Sequence, residues 1–323
     1  MKVLVLHSDV APDAPPDEQD TIFAAEAVAA ALEKLGHDAP RAAFAPDLDH
    51  LKGLIAKHRP DAVFNVVESV FGAGIYSSLA PAMLERLNIP FTGATAAHFA
   101  LTTDKPIAKR MLRIAGLSTP EWSESPGWAQ LDPAARYVVK AADEDASIGI
   151  DDRSVVPGSE VRARVADRIE NFGGRWFAER YIDGREFNIA VMQSVDGPKV
   201  FPLAEMCFHG WPEGKPKLVG FGAKWEEDTF DYESTSRRFG AETEEPALAR
   251  ALIDATKSVW RLFGLRGYAR VDFRVDETGK PWILEINPNC CISPDAGFAA
   301  AAEQAGISYD ALMGSVLEAA FAR

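Results

Sequence analysis

The stretch Arg266–Phe298, RGYARVDFRVDETGKPWILEINPNCCISPDAGF, decides how the rest of the chain is read. Two apolar runs flank a turn at Glu277-Thr278-Gly279-Lys280, which is a hairpin signal. Side chains alternate along a strand, so Arg270, Asp272 and Arg274 share one face, and Ile283, Glu285 and Asn287 share one on the return strand. The opposite faces, Val271, Phe273, Val275 and Trp282, Leu284, Ile286, read as core. Antiparallel pairing then gathers Asp272, Glu285 and Asn287 beside Arg270. Two carboxylates and an amide oxygen form a hard-oxygen set suited to Mg²⁺, which keeps water and phosphate in its other positions. An adjacent arginine suits a developing phosphoryl or oxyanion charge. A surface hairpin with scattered charges accounts for the same alternation, because exposed strand faces carry charge.

The chain has 323 residues, enough for one large domain or two to three smaller ones, and 47% are hydrophobic, so a sizeable core can form. With 34 basic and 48 acidic residues the net charge is −14, which argues against nucleic acid as the main partner. Three cysteines, two of them adjacent, make no disulfide framework and suit a reducing compartment. The opening MKVLVLHSDV is too short an apolar run for a signal peptide or a membrane span. The expectation is a cytoplasmic protein with no membrane partner.

From the N-terminus, Val3–Leu6 reads as a buried strand, His7–Asp20 as a Pro/Asp-rich loop and Thr21–Leu35 as a helix. Asp61–Val67 is a second buried strand, Tyr76–Leu87 a helix and Ile89–Gly93 a short strand with a turn. Alternating strands and helices predict a parallel, doubly wound sheet, whose ligands sit beyond the C-terminal strand ends. Those ends carry His7-Ser8-Asp9 and Glu68-Ser69. A helix from Asp104 to Ala115 starts at Lys105, and the strand Tyr137–Lys140 ends in a lysine ahead of the small-residue loop Ala141–Gly149. Lysine there, with backbone N–H groups, is compatible with phosphate. Trp176–Ile182, Glu186–Met192 and Val200–Ala204 predict an antiparallel sheet, and Gly214–Arg238 is loop-rich. A helix over 246–263 leads into the hairpin, and two helices close the chain.

In this order, Thr103-Asp104-Lys105, Val139-Lys140 with Glu144–Gly149, Glu179–Phe187, Ala223-Lys224-Trp225 and the metal hairpin resemble the ATP-grasp superfamily, in its D-alanine–D-alanine ligase-like branch. Val63–Glu68 and Ile89–Gly93 are similar to that branch's N-terminal region, so the resemblance covers nearly the whole chain. It implies an α/β protein, α+β in its nucleotide-binding part, with an N-terminal Rossmann-like domain at 1–100, a central subdomain at 101–184 and a C-terminal subdomain with the metal site at 185–323. It implies ATP held by Lys105, Lys140, Glu144, Ser147, Glu179, Arg180, Tyr181, Ile182, Glu186 and Lys224. Glu179 and the Arg180–Ile182 backbone match the hinge that reads adenine, and Glu186 the carboxylate on ribose. Asp272, Glu285 and Asn287 match ligands for two Mg²⁺ ions, with Mn²⁺ able to stand in; Arg270, Lys224 and Ser147 match the catalytic set. The implied activity is carboxylate–amine ligation through an acyl phosphate, on small amino-acid-like substrates, by a homodimer.

Departures from the branch's pattern concentrate where its amino acids bind. Asp145 and Ala146 stand at Gly and Ser positions of the phosphate loop, and Ala141 replaces a proline. Cys290-Cys291 replaces Pro-Gly after the metal asparagine, and Ala296 replaces a serine that holds the acceptor carboxylate, with Ser293 and Asp295 nearby. For the N-terminal glutamate that captures the donor amine the candidates are Glu18, Gln19 and Asp20, and Glu68-Ser69-Val70-Phe71-Gly72 replaces the branch's loop after the second strand. Nucleotide and metal residues are kept while both amino-acid pockets have changed, which favours substrates other than the cell-wall dipeptide. The alternatives are a D-alanine–D-alanine ligase proper, an ATP-binding protein impaired in catalysis, and a small-molecule phosphotransferase.

Overall fold

The computed structural model describes residues 1–144 and 147–322. The chain opens with β1 (Val3–Ser8), α1 (Pro16–Lys34), β2 (Arg41–Phe44), α2 (Leu48–His58), β3 (Ala62–Val66), α3 (Leu79–Leu87) and α4 (Ala96–Thr102). The strands pair in the order β2-β1-β3, all parallel. Alternation along β1 serves both sides of this sheet. Val3 and Val5 pack with Ala25 and Val28 of α1, whereas Leu4 and Leu6 pack with Leu51 of α2 and Leu84 of α3. The parallel sheet wound on both faces is therefore present, as expected.

Helix α1 starts at Pro16, five residues before the start read from the sequence. Proline at the first helical position is pre-organised for the helix, and Asp17 and Glu18 sit favourably at its positive end. Glu18 and Asp20 are thus helical residues, held more firmly than in a loop. β2 and α2 went unassigned from the sequence, since RAAF offers a strand only two alanines and one phenylalanine.

A second sheet follows α5 (Lys105–Ile114). It contains β4 (Trp122–Ser123), β5 (Arg136–Ala141), β6 (Val155–Pro157) and, after α6 (Val161–Phe172), β7 (Trp176–Arg180), in the antiparallel order β4-β7-β5-β6. Val161 and Val165 of α6 cover Tyr137, Val139 and Ala178. The third sheet comprises β8 (Arg185–Ser194), β9 (Gly197–Val200), β10 (Ala204–Phe208), β11 (Thr235–Arg238), β12 (Tyr268–Val275) and β13 (Pro281–Pro288), ordered β11-β10-β8-β12-β13 with β9 on β8. Its neighbours are α7 (Phe221–Trp225), α8 (Phe230–Glu233), α9 (Ala241–Glu244), α10 (Pro246–Phe263), α11 (Gly297–Gln304) and α12 (Tyr309–Ala319).

The single antiparallel sheet read across residues 176–204 is corrected: β7 and β8 lie in different sheets. Gly184 makes the crossing at φ 149°, where an added Cβ would stand 2.1 Å from the Val275 carbonyl oxygen. Only a residue without a side chain passes there.

The third sheet decides where chemistry can occur. Phe187, Ile189 and Val191 of β8 and Val271, Phe273 and Val275 of β12 face α10, against Leu252, Val259 and Phe263. The other face changes character along its length. Ala190, Met192 and Tyr268 join Phe298 of α11, Leu312 of α12 and Val28 of α1 in a shared core, while Glu186, Asn188, Arg270, Asp272 and Arg274 line a cavity. Each large apolar side chain fully buried in that core contributes about 1.5–3 kcal/mol, which anchors the polar half beside it. Gly267 locks the first sheet to this one: its φ is +70°, and a Cβ there would lie 2.4 Å from Gly93 Cα. Arg266 reinforces the junction, donating from Nε to the Gly93 carbonyl at 2.8 Å and from Nη2 to the Phe91 carbonyl at 2.9 Å. Among the described residues no helix is long and apolar enough to cross a membrane.

Candidate active site

The three sheets enclose a cavity of about 620 Å³. Cross-strand registry places its polar residues. Asn188, Asp272 and Glu285 stand opposite one another on β8, β12 and β13, and Arg270 stands opposite Asn287. Between Asp272 and Phe273 the register slips, so Phe273 pairs with Ile283 and Leu284 is the extra residue of a bulge. This corrects three face assignments, the first being Trp282, which was read as core and stands opposite Arg274, half-buried and outside the core. Ile283 is buried in the core behind the sheet, and Leu284 lines the cavity with Glu285. Strict alternation fails there because a bulge inserts one residue into the count.

Arg270 grips Asp272 through two parallel bonds, Nε to Oδ1 at 2.7 Å and Nη2 to Oδ2 at 2.8 Å. Asn287 Nδ2 donates to Asp272 Oδ2 at 3.0 Å. Burial pushes the Asp272 carboxyl up, against the pull of Arg270. Burial would also raise Glu285, yet Lys105, Lys140, Lys224 and Arg270 together hold it well below the usual carboxylate range. A cation-rich cavity thus keeps Glu285 ionised. Turning the Asn287 amide over would direct its oxygen at the carboxylates, and amide orientation is assigned from the hydrogen-bond network. The donor set is then two carboxylates and one amide oxygen, which fits a hard divalent cation such as Mg²⁺.

Lys105 and Lys140 are both almost fully buried. Lys105 follows Asp104, whose Oδ1 caps α5 by accepting from Ile107 N at 2.9 Å, and its Nζ lies 3.9 Å from Glu285 Oε2. Lys140 Nζ is 2.8 Å from Glu179 Oε1, and Lys109, one turn after Lys105 on α5, takes Glu179 Oε2. Glu179 therefore sits between two buried lysines. Burial lowers the Lys109 ammonium to about 8, with Glu179 opposing the fall. Glu186 is raised by burial, with Arg274 opposing. Lys224 on α7 is lowered by burial and then by Arg270. Tyr181 Oη accepts from Lys217 N at 3.1 Å and its ring stacks near Arg136 and Arg274.

At the N-terminal end of the cavity, Ser8 Oγ accepts from Glu68 N and Ser69 N, both at 3.1 Å. Asp20 accepts from Cys291 Sγ and Ser293 Oγ, each at 2.9 Å. Burial raises the Cys291 thiol well above its ordinary value, with Glu68 and Asp20 adding to the effect, and pushes Cys290 up to about 12. Neither thiol is a ready nucleophile. Glu144 Oε2 accepts from Gly74 N at 2.8 Å, and Ser147, at φ +62°, donates to the Val219 carbonyl at 3.0 Å. Asp145 and Ala146 lie outside the described residues.

Of the residues singled out from the sequence, Arg270, Lys224, Ser147, Lys105, Lys140, Glu144, Glu179, Arg180, Tyr181, Ile182, Glu186, Asp272, Glu285, Asn287, Glu18, Asp20, Glu68, Cys291 and Asp295 all line this cavity. Ser293 is fully buried behind it, bonded to Asp20. Gln19 turns away toward the carbonyls of Ala11 and Pro12. Sequence reading missed Lys109, Asn188 and Arg237, gave Arg274 its face but no role, and put Leu284 in the core. Lys109 carried a signal, the i, i+4 spacing from Lys105 that puts both on one helix face. Asn188 and Arg237 carried none, since each needs its cross-strand partners to be known.

The D-ala D-ala ligase C-terminus family matches residues 121–318, well over half of the chain. The chain belongs to that family. Its relatives include Uncharacterized protein y4sG of Sinorhizobium fredii, 30% identical over 312 residues, covering 93% of this chain and 88% of that protein. A D-alanine–D-alanine ligase of Methylococcus capsulatus is 29% identical over 314 residues, covering 95% of this chain and 93% of that one. The fold of this family member matches the crystal structure of D-alanine–D-alanine ligase from Bacillus anthracis complexed with ATP, with a TM-score of 0.76 and 20% identity over 99% of this chain and 97% of that one.

Proposed function

We propose that this protein is an ATP-dependent carboxylate–amine ligase that forms a peptide-like amide bond on small amino-acid-like substrates. One observation carries the reading: the lysines, hinge residues, carboxylates and arginine matched to ATP-grasp roles line one cavity in a chain of the D-ala D-ala ligase C-terminus family. A carboxylate oxygen is a poor leaving group, so a substrate carboxylate must be activated before an amine can displace it. Attack of that carboxylate on the γ-phosphate of ATP yields an acyl phosphate and ADP. The amine then attacks the acyl carbon, and phosphate leaves.

We assign Lys105, Lys140 and Lys224 to the phosphates, the Glu179–Ile182 segment to adenine, and Glu186 to ribose. Asp272, Glu285 and Asn287 would hold Mg²⁺, which supplies charge neutralisation at the transferring phosphoryl group. Arg270, fixed by its two bonds to Asp272, presents a cation to the oxygens that gain charge. Leu284, brought into the cavity by the bulge, gives the base an apolar floor. Glu144 and Ser147 belong to the segment we assign to closing over the phosphates, which excludes water that would hydrolyse an acyl phosphate.

The division into units at 1–100, 101–184 and 185–323, a cytoplasmic location and a homodimeric assembly belong to the same proposal. The test is a panel of D- and L-amino acids, offered singly and in pairs, with ADP release and amide product read together. Amine-dependent ADP release with an amide product supports the ligase. ATP turnover giving a stable phosphorylated product and no amide would replace it by a phosphotransferase.

A further inference from the structure

Lys109 is a buried cation that the nucleotide and metal assignments leave unused. In the second sheet Val138 stands opposite Glu179 and Lys140 opposite Phe177, so Val138, Lys140 and Glu179 share the face that lines the cavity. Lys109 reaches this face from behind, out of α5, and has no part in the cavity wall. Its Nζ pairs with Glu179 Oε2 and donates to Thr119 Oγ1 at 2.8 Å. Thr119 Oγ1 donates in turn to the Ile283 carbonyl at 2.8 Å, on β13 beside the bulge. Lys140 Nζ takes the other carboxylate oxygen, Glu179 Oε1, at 2.8 Å. A continuous buried chain therefore runs from Ile283 through Thr119, Lys109 and Glu179 to Lys140, joining the metal hairpin to a lysine assigned to phosphate.

This chain sets the charge that reaches the cavity. Each Glu179 oxygen serves one lysine, and two ammonium groups with one carboxylate leave a single positive charge. Without Lys109 the carboxylate would face Lys140 alone, and the pair would sum to zero. Lys140 would then be drawn back onto both oxygens, and an ammonium whose donors are spent on a carboxylate has fewer left for phosphate. In a buried setting each unit of charge counts for more than it does in water. Burial weighs against the Lys109 ammonium, and Glu179 is the main group that retains it; Lys140 disfavours it and Glu285 favours it. An apolar side chain of similar length would fill the same space at lower cost, so packing alone gives no reason for a lysine here.

We infer that Lys109 is a positioning residue for nucleotide phosphate: acting through Glu179, and tied to β13 by Thr119, it holds the Lys140 ammonium at the cavity wall with its charge uncancelled. The inference rests on the nucleotide assignment within the ligase reading. Lys109 reaches the ligand only through Lys140, so its effect falls on the phosphates and spares the base and ribose.

The experiment measures the Kd of ADP with Mg²⁺ by calorimetry, and that of adenosine by its displacement of ADP, for wild type, K109M and T119V. K109M keeps most of the stem and leaves Glu179 paired with Lys140. It should bind ADP about 10-fold more weakly, the worth of one charge-assisted contact, with adenosine unchanged. T119V frees Lys109 from β13 without removing its charge, and should weaken ADP in the same direction by a smaller factor. Unchanged ADP affinity in K109M overturns the inference. So does adenosine weakened by as much as ADP, which would mark a role in the shape of the pocket alone. Should K109M fail to fold, T119V decides on the same two ligands: ADP weakened with adenosine spared supports the inference, and any other result overturns it. Binding needs no turnover, so the two readings fail separately. Wild type that binds ADP but forms no amide from the amino-acid panel loses the ligase reading and keeps this one, whereas wild type that binds no ADP overturns this one.

Discussion

Glu179→Gln tests the buried charge cluster most directly. Glu179 is 2% exposed and neutralises Lys109, 1% exposed, and Lys140, 6% exposed. The substitution keeps shape but leaves two buried ammonium groups sharing one neutral amide. Breaking a buried pair in this way costs about 3–5 kcal/mol, because the remaining charge stays desolvated. For a chain of this size each kcal/mol moves Tm by roughly 2–4 °C, so a fall of about 6–20 °C is expected. The pH dependence is the sharper readout. Lys109 has a folded pKa of about 8 against an ordinary 10.5. Between those values the unfolded chain holds a proton that the folded chain has released, so stability from this group rises with pH. Without Glu179 the folded pKa drops further, and the window opens at lower pH. The deficit of the variant should therefore shrink as pH rises toward about 8, where folded wild type begins to release the same proton, and level off above it, measured by urea unfolding from pH 6 to 9. A deficit below about 1 kcal/mol, or one constant across that range, would refute the account of Glu179 as the counter-charge of Lys109.

Two further outcomes follow from the same geometry. Asp272→Asn should cut Mg²⁺-dependent ADP release by about 10²-fold or more, since metal charge stabilisation is worth several kcal/mol; undiminished turnover across a Mg²⁺ titration would remove Asp272 from the metal set. Gly267→Ala forces a side chain into φ +70° and onto Gly93, so a loss of about 2 kcal/mol or more is expected by thermal melt, and a melt equal to wild type would show that the two segments can part.

The hairpin at 268–288 was legible because β-strands alternate, and the sharing of one face by Asp272, Glu285 and Asn287 could be read from that period. Lys105 and Lys140 were legible only as members of an ordered series with Lys224 and Glu179. The bulge at Leu284 was not, because one inserted residue leaves no mark in a pattern of apolar letters. The two-sheet arrangement of β7 and β8 was hidden for a related reason: a strand–turn–strand stretch looks alike whether it folds back on itself or crosses between sheets.

The sequence by itself determined the chemistry on offer: which strands are buried, which lysines end them, and which carboxylates share a face. These are local properties, set by side-chain period and by residue type. Tertiary structure alone decided what the opening hairpin faces. Three sheets meeting around one cavity joined Asp20 of α1 to Cys291 and Ser293, and brought Arg237 onto the first residue of α11. Such contacts join positions up to hundreds of residues apart, and their geometry follows from packing, not from spacing along the chain. The second half of Arg266–Phe298 is where the two kinds of information meet: the place of Asn287 on the polar face was readable, but what lies beside Gly297 had to be seen.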